Sequence, residues 1–479
     1  MQYTSPGRIR TIEALRDLFS QTAPAIEAID KPNAALSTPI DACGRTLTNR
    51  FCIHPMEGWD GTTTGAPTAH TLRRWTRFGL SGADLIWGGE AYAVQARGRA
   101  NPNQLFLNRD DDPVRHLAAL RAALLEGRAE TDLDESSLLL GLQLTHSGRF
   151  CHPTTDGQAP LVMQHHPVLE TRYGNADTVQ VLDDDDLQRI RDDMIDAAVV
   201  AQQAGFSFVD VKCAHGYLLH ESLSARHRTG PYGGDVHNRT RLVLEIIDGI
   251  ANRCPGLHIG VRLSVTDVPP HERTPDTGVG RPVAHNTNPW DLSLGVDPNA
   301  PMQPDLAEPL AIIGMLRDHG VSLLNVTVGS PYWCPHVQRP ATYPPSDGYL
   351  PPEHPLQGVL RHLGTTRAVK AAFPDLVVVG SGYTYLQEWL PHVAGAEVQH
   401  GHVDLVGLGR MVLSYPHLPR DIVAGRDMDR TFICRTFSDC TTGPRNDEIS
   451  GCYPLDSYYK AMPQAVTIKG KRREAMGRT

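Results

Sequence analysis

The sequence predicts an α/β fold, a (β/α)8 TIM barrel with a short C-terminal extension that contains cysteines. Eight short apolar segments rich in β-branched residues alternate with helical patterns along the 479 residues. No GxGxxG motif follows the first apolar segment, which disfavours a doubly wound open sheet. The chain is therefore divided into an N-terminal extension over 1–40, a barrel over 41–421 and a tail over 422–479.

Each element follows from a local pattern of the sequence. The predicted strands are Leu47–His54, Asp84–Glu90, Leu138–His146, Phe206–Cys213, Leu257–Ser264, Leu323–Gly329, Leu376–Gly382 and Val403–Arg410. The predicted helices are Arg115–Glu126, Asp184–Gln203, Asn238–Ala251, Leu306–Asp318, Thr365–Phe373 and Tyr385–Val393. Two long Pro-rich connections, Val265–Gln303 and Ser330–Leu356, follow strand ends on the face where barrels build their active sites.

Composition and charge exclude several classes of protein. The 45 Lys and Arg against 54 Asp and Glu give a net charge of -9, which argues against a nucleic-acid or anionic-membrane partner. No apolar stretch reaches the ~18 residues of a membrane-spanning helix, and the nine cysteines do not form a disulfide framework. We expect a cytoplasmic enzyme that acts on a small molecule, and self-assembly is left open.

Polar and glycine-rich motifs stand where the predicted strands end. Residues 143–149 (QLTHSGR) close the third strand, 212–219 (KCAHGYLL) the fourth and 261–264 (VRLS) the fifth. The glycines of 380–382 (GSG) and 407–410 (GLGR) close the seventh and eighth strands. Glycine lets backbone N–H groups approach a phosphate closely at this barrel position, and Arg410 adds a charge-assisted contact.

Taken in order, these motifs resemble the FMN-binding barrel of the old yellow enzyme family, which includes the barrels of 2,4-dienoyl-CoA reductase and trimethylamine dehydrogenase. The full set is Pro55-Met56, QLTHSGR, AHGYLL, YGG…NRTR, VRLS, GSG and DLVGLGR, between about Asn49 and Pro419. The resemblance implies an FMN-dependent oxidoreductase that uses NADH or NADPH to reduce an activated C=C bond. Among flavoenzymes, the alternative is flavin-dependent amine oxidation or demethylation. Two other classes stay open: a Schiff-base lyase or aldolase that uses Lys212, and a non-catalytic flavin-binding protein.

The resemblance also implies a set of cofactor-binding residues. Gln143 would hold the pyrimidine edge of the flavin, and Arg262 would stabilise negative charge at N1 and O2. Gly382, Gly409 and Arg410 would bind the phosphate. Pro55 and Met56 would pack near the isoalloxazine. Glu57 stands where the family often has Thr or Cys; it either lies beside the flavin, where a charged carboxylate makes reduction harder, or points into solvent.

Three residues after the fourth strand would carry the substrate chemistry. Lys212 and His215 would hold the substrate oxygen, and Tyr217 would protonate the carbon beside it. Lys212 departs from the family, which usually has His there. It acts either as a charged donor to the substrate or as a neutral base or nucleophile, or it extends out of the barrel mouth.

The tail carries an incomplete iron–sulfur motif. Cys434, Cys440 and Cys452 resemble the four-cysteine [4Fe–4S] segment of dienoyl-CoA reductase and trimethylamine dehydrogenase. Phe437 stands near the place of the second cysteine and cannot bind iron, and Asp439 is a poor substitute. We expect no cluster; zinc held by the three cysteines is the alternative.

Overall fold

Eight parallel strands close into a barrel in the computed structural model, which describes residues 3–154, 157–284 and 292–476. The strands are β1 (Phe51–Ile53), β2 (Leu85–Ile86), β3 (Leu139–Thr145), β4 (Phe208–Cys213), β5 (His258–Ser264), β6 (Leu323–Thr327), β7 (Val377–Gly380) and β8 (Leu405–Leu408). Each strand pairs with the next along the chain, and β8 closes the circle by pairing with β1. Every strand lies within a predicted segment, so the predicted (β/α)8 barrel is confirmed.

Helices follow each strand and cover the outside of the barrel. They are α1 (Ala69–Gly79), α2 (Pro113–Ala129), α3 (Asp184–Gln203), α4 (Val236–Arg253), α5 (Ala307–Asp318), α6 (Pro355–Ala372), α7 (Leu390–Gln399) and α8 (Leu418–Val423). The helix α3 has its predicted bounds, with Asp183 as its N-cap. The start predicted for α6 at Thr365 is wrong, because Pro355 occupies the first turn, where proline is compatible with a helix.

The N-terminal end of the barrel is closed by apolar packing. An antiparallel hairpin of Ile40–Ala42 and Arg45–Leu47 covers this end, and its Leu47 packs in one cluster with Trp87 and Phe208. The prediction that Leu47 belongs to β1 is therefore wrong. Leu47 lies in the hairpin, because the chain reverses at Cys43 and Gly44, both with positive φ. With this end closed, the polar strand ends lie at the opposite end of the barrel.

Long connections surround the C-terminal end of the strands. The connection after β5 contains two antiparallel hairpins, His271–Arg273 with Gly280–Pro282 and Val296–Asp297 with Ala300–Pro304. Residues 285–291 of the predicted Val265–Gln303 connection lie outside the described residues. Shorter elements complete this end: strands Ala91–Ala93, Leu161–Val162 and Gln180–Val181, and helices Pro167–Tyr173, Leu218–Leu223, Pro335–Gln338 and Arg410–Ser414.

The two ends of the chain pack on the barrel. Helices Ile12–Thr22 and Asn33–Leu36 precede it, and helices Asp439–Thr442, Ser457–Lys460 and Gln464–Ala475 follow it. Asp456 of the tail accepts hydrogen bonds from Arg73 of α1 at 2.9 and 3.0 Å. None of the helices in the described ranges is long and apolar enough to span a membrane.

Candidate active site

The cofactor-binding and catalytic residues predicted from the sequence line one cavity of about 260 Å³ at the C-terminal end of the barrel. They are Pro55, Met56, Glu57, Gln143, Lys212, His215, Tyr217, Arg262, Gly382, Gly409 and Arg410. They come from six different strand ends, which the closure of the barrel brings together. Their joint position makes this cavity the candidate active site.

The cavity has the groups that a flavin nucleotide requires. Gly382 has φ +94°, a conformation that favours glycine, at the place where its backbone turns after β7. Arg262 and Arg410 each keep a buried guanidinium nitrogen without a hydrogen-bond partner among the described residues, Nε and Nη1 respectively. Buried donors of this kind normally have an acceptor, so the residues fit an anionic ligand such as FMN.

Gln143 and Arg262 are held in place by a buried carboxylate, Asp210 of β4. Asp210 accepts hydrogen bonds from Gln143 Nε2 at 2.5 Å and from the backbone N–H of Arg262 at 2.7 Å. Burial raises the pKa of Asp210 to about 6, and these hydrogen bonds oppose that rise. Asp210 was not predicted from the sequence. It stands two positions before Lys212 on β4, so the two side chains lie on the same face of the strand.

Glu57 contacts three side chains in the cavity or beside it. Its Oε1 lies 2.6 Å from Lys212 Nζ, and its Oε2 accepts hydrogen bonds from Tyr217 at 2.8 Å and from Trp59 Nε1 at 3.2 Å. The side chain is 14% exposed. Of the two predicted positions, the one in solvent is therefore wrong, because Glu57 lies in the cavity with three donors.

Lys212 is buried and does not extend out of the barrel mouth. Its side chain is 4% exposed, and Nζ lies 3.8 Å from the centre of the Tyr217 ring. Burial lowers the pKa of Lys212, and the Glu57 carboxylate opposes that change. The amine that sequence analysis placed at the substrate oxygen is thus one partner of a buried ion pair.

His215 is held in an uncommon backbone conformation. Its φ is +67°, which is rare for a residue other than glycine. Its backbone N–H donates to Ser264 Oγ at 3.0 Å, and its carbonyl oxygen accepts from Ser330 Oγ at 2.7 Å. Burial, together with the charge of Arg262, lowers the pKa of His215 well below 6.5. The imidazole is therefore neutral at pH 7.

Aromatic side chains that were not predicted from the sequence lie beside Tyr217. The Tyr332 hydroxyl lies 2.9 Å from that of Tyr217, and its ring stacks on Phe150 with 3.9 Å between ring centres. The guanidinium of Arg445, from the tail, lies 4.4 Å from the centre of the Tyr332 ring. These residues lie in connections and in the tail, where no strand-end motif marks them.

The tail cysteines lie together but do not form a cluster site. Cys434, Cys440 and Cys452 line a cavity of about 20 Å³ that Phe437 also lines. The Asp439 carboxylate also lines this cavity, and its Oδ2 accepts a hydrogen bond from Arg472 at 2.8 Å. Within residues 3–154, 157–284 and 292–476, no three His, Cys, Asp or Glu side chains are arranged to hold a metal ion. These residues do not fit an iron–sulfur cluster.

We therefore expect purified protein to contain no [4Fe–4S] cluster. Three thiols with Phe437 between them leave the fourth iron without a ligand. Anaerobic purification followed by iron and acid-labile sulfide assays measures this directly. The change Phe437→Cys serves as a comparison, since it restores a fourth thiol. Iron close to four atoms per chain in the unaltered protein would contradict the prediction.

The closed barrel, with a polar cavity at the C-terminal ends of its strands, defines the class of this protein as a (β/α)8 barrel. The NADH:flavin oxidoreductase / NADH oxidase family matches residues 35–277, and the chain belongs to this family. It is 32% identical over 244 residues to an NADPH dehydrogenase of Bacillus subtilis (strain 168), which is 48% of this chain and 64% of that protein. It is 31% identical over 253 residues to an NADH:flavin oxidoreductase of Gibberella zeae, 48% of this chain and 56% of that protein. The matches thus span less than two thirds of these relatives.

Solved structures share the fold. Morphinone reductase superposes with a TM-score of 0.57 at 21% identity, over 84% of this chain and 92% of that chain. A histamine dehydrogenase from Rhizobium sp. 4-9 superposes with a TM-score of 0.63 at 21% identity, over 90% of this chain and 53% of that chain. A 2-naphthoyl-CoA reductase superposes with a TM-score of 0.64 at 18% identity, over 91% of this chain and 58% of that chain. At these identities the likeness supports the fold alone.

Proposed function

We propose that this protein is an FMN-dependent NAD(P)H oxidoreductase that reduces an activated C=C bond. The observation that carries the proposal is the position of Gln143, Arg262 and Gly382 around the same cavity as His215 and Tyr217. FMN, when bound there, supplies hydride transfer between a nicotinamide and the substrate. The proposal extends to a cytoplasmic location, as the sequence predicts.

The side chains around Tyr217 would bind the substrate oxygen and hold a proton. Neutral His215 and the Lys212 ammonium are hydrogen-bond donors to a carbonyl oxygen, which stabilises negative charge that develops there. Tyr217 keeps its proton at pH 7, because burial and the neighbouring Glu57 carboxylate raise its pKa well above 10. The phenol would thus be the proton donor to the substrate carbon.

A second candidate function is oxidation of an amine, and one contact favours it. The Tyr217 hydroxyl donates its hydrogen bond to Glu57, so Tyr217 would pass its own proton to this carboxylate as its oxygen takes a proton from the substrate. That arrangement suits removal of a proton from the substrate. The lyase alternative is weaker, because Glu57 holds the Lys212 amine that would have to be a free nucleophile.

Release and identification of the chromophore tests the proposed function. We expect a yellow protein from which denaturation releases FMN, and bleaching of that colour by NADH or NADPH. The Arg262→Ala variant should bind FMN more weakly and be reduced less readily, because the buried guanidinium that would face the anionic flavin is lost. FAD in place of FMN, or no flavin after reconstitution with FMN, would contradict the proposal.

A further inference from the structure

Two arginines lie together in the cavity without an anion. Arg339 follows helix Pro335–Gln338 in the connection after β6, and Arg410 follows β8; both line the cavity. Arg339 Nη2 and Arg410 Nη1 are buried and have no hydrogen-bond partner among the residues that the structure describes. Neither side chain forms an ion pair with a described residue, although most arginines of this protein that are buried do so.

The remaining guanidinium nitrogens fix both side chains. Arg339 Nη1 donates to Thr441 Oγ1, which belongs to helix Asp439–Thr442 of the tail. Arg410 Nη2 donates to the carbonyl oxygen of Pro340 at 2.9 Å. Burial lowers the pKa of Arg339 to about 10, and the charge of Arg410 adds to that effect. The two cations are therefore held close to each other at some electrostatic cost.

A buried pair of cations requires an anion of matching charge. A phosphate monoester carries nearly two negative charges and presents three acceptor oxygens, which suits two guanidinium groups. Gly409, directly before Arg410, has open space where a side chain would begin, its nearest neighbour there being Met56 Sδ at 4.0 Å. Arg339, Gly409 and Arg410 all line the same cavity.

We propose that Arg339 is a second cation of the cofactor phosphate site, and that Thr441 of the tail holds it there. Arg339 and Arg410 would bind the phosphate of FMN from two connections of the barrel. The inference rests on the proposed function, since it needs FMN as the cofactor. It gives the tail a role that does not depend on its cysteines: Thr441 fixes a cofactor-binding side chain.

Comparison of FMN with riboflavin, which lacks the phosphate, tests the inference. Apoprotein is titrated into each flavin, and flavin fluorescence gives the dissociation constants. We expect Arg339→Met to weaken FMN binding about 10- to 100-fold, the usual effect of losing a charge-assisted hydrogen bond. Riboflavin binding should stay unchanged. Thr441→Val should weaken FMN binding by a smaller factor, and Arg339→Lys should retain part of the affinity.

Arg172→Met is the matched control, because Arg172 donates to the carbonyl oxygens of Tyr332 and Trp333 in the same connection but is not among the residues that line the cavity. It should leave the ratio of FMN to riboflavin affinity as in the parent. Raising the salt concentration should weaken FMN binding more in the parent than in Arg339→Met. The inference would be overturned if the parent and Arg339→Met bound FMN with equal affinity. It would also be overturned if Arg339→Lys and Thr441→Val lost as much affinity for riboflavin as for FMN. If the parent binds neither flavin, it is the proposed function that fails.

Discussion

Replacement of Lys212 by Met is expected to slow reoxidation of the reduced enzyme by its substrate about 10²-fold or more, as loss of an oxyanion donor commonly does. The Lys212 ammonium has three N–H groups and donates one hydrogen bond to Glu57, so two N–H groups remain for a substrate oxygen. FMN content should stay nearly intact, because Gln143, Arg262 and Gly382, which line the cavity and are proposed to bind FMN, are unchanged. Stopped-flow absorbance of the flavin measures both rates of the cycle.

The double variant Lys212→Met with Glu57→Gln separates two roles of this lysine. Lys212→Met alone leaves a buried carboxylate without its cation, which typically destabilises a protein by about 3–5 kcal/mol. The double variant should recover most of that stability in thermal unfolding, yet remain slow with substrate. A double variant as fast as the parent would mean that Lys212 serves only to neutralise Glu57, and that His215 alone holds the oxygen.

The fold could be predicted because its signals are local. Each barrel strand is a short run that is buried on both faces, as in β3, where all of Leu139–Thr145 is buried. Such runs are visible as apolar segments. The predicted bounds were wrong where tertiary contacts determine which element a residue joins. Leu47 belongs to the hairpin that covers the barrel, and Pro355 begins a helix although it was predicted to lie in a loop.

The candidate site was predictable to the extent that its residues stand at strand ends. Gln143, Arg262 and Gly382 are placed by the barrel itself, since the strand fixes where each side chain begins. Arg339 and Tyr332 lie in a connection whose conformation depends on contacts with the tail and with other loops. No spacing in the sequence indicates those contacts.

The pairing of Glu57 with Lys212 shows the same limit in energetic terms. The two residues are 155 positions apart, and each was interpreted alone, Glu57 as a group that affects the flavin and Lys212 as a substrate ligand. A charged group in a barrel interior is costly unless it has a partner. That rule predicts that a partner exists, but the sequence does not say which of several charged residues provides it.

Replacement of Glu57 by Gln should affect the two candidate reactions in opposite ways. Gln has the shape to keep the contact with Tyr217 but cannot accept a proton. If the enzyme oxidises an amine through Tyr217, substrate oxidation should slow by about 10²- to 10⁴-fold, the range for loss of general-base catalysis. If it reduces an alkene, protonation from Tyr217 should not slow, because loss of the carboxylate lowers the raised pKa of the phenol and makes it a stronger acid.

Stopped-flow measurements of both half-reactions between pH 6 and pH 10 compare the parent with Glu57→Gln. In the parent, the Tyr217 pKa well above 10 predicts no loss of alkene reduction from phenol ionisation in this range. In Glu57→Gln, burial and Tyr332 still raise the pKa of Tyr217, so alkene reduction should also show no loss from phenol ionisation in this range. Trp59→Phe is the matched control, since it removes a hydrogen bond to the same carboxylate without removing the charge. Equal slowing of both reactions by Glu57→Gln would leave Glu57 only as a positioning residue for Tyr217 and Lys212.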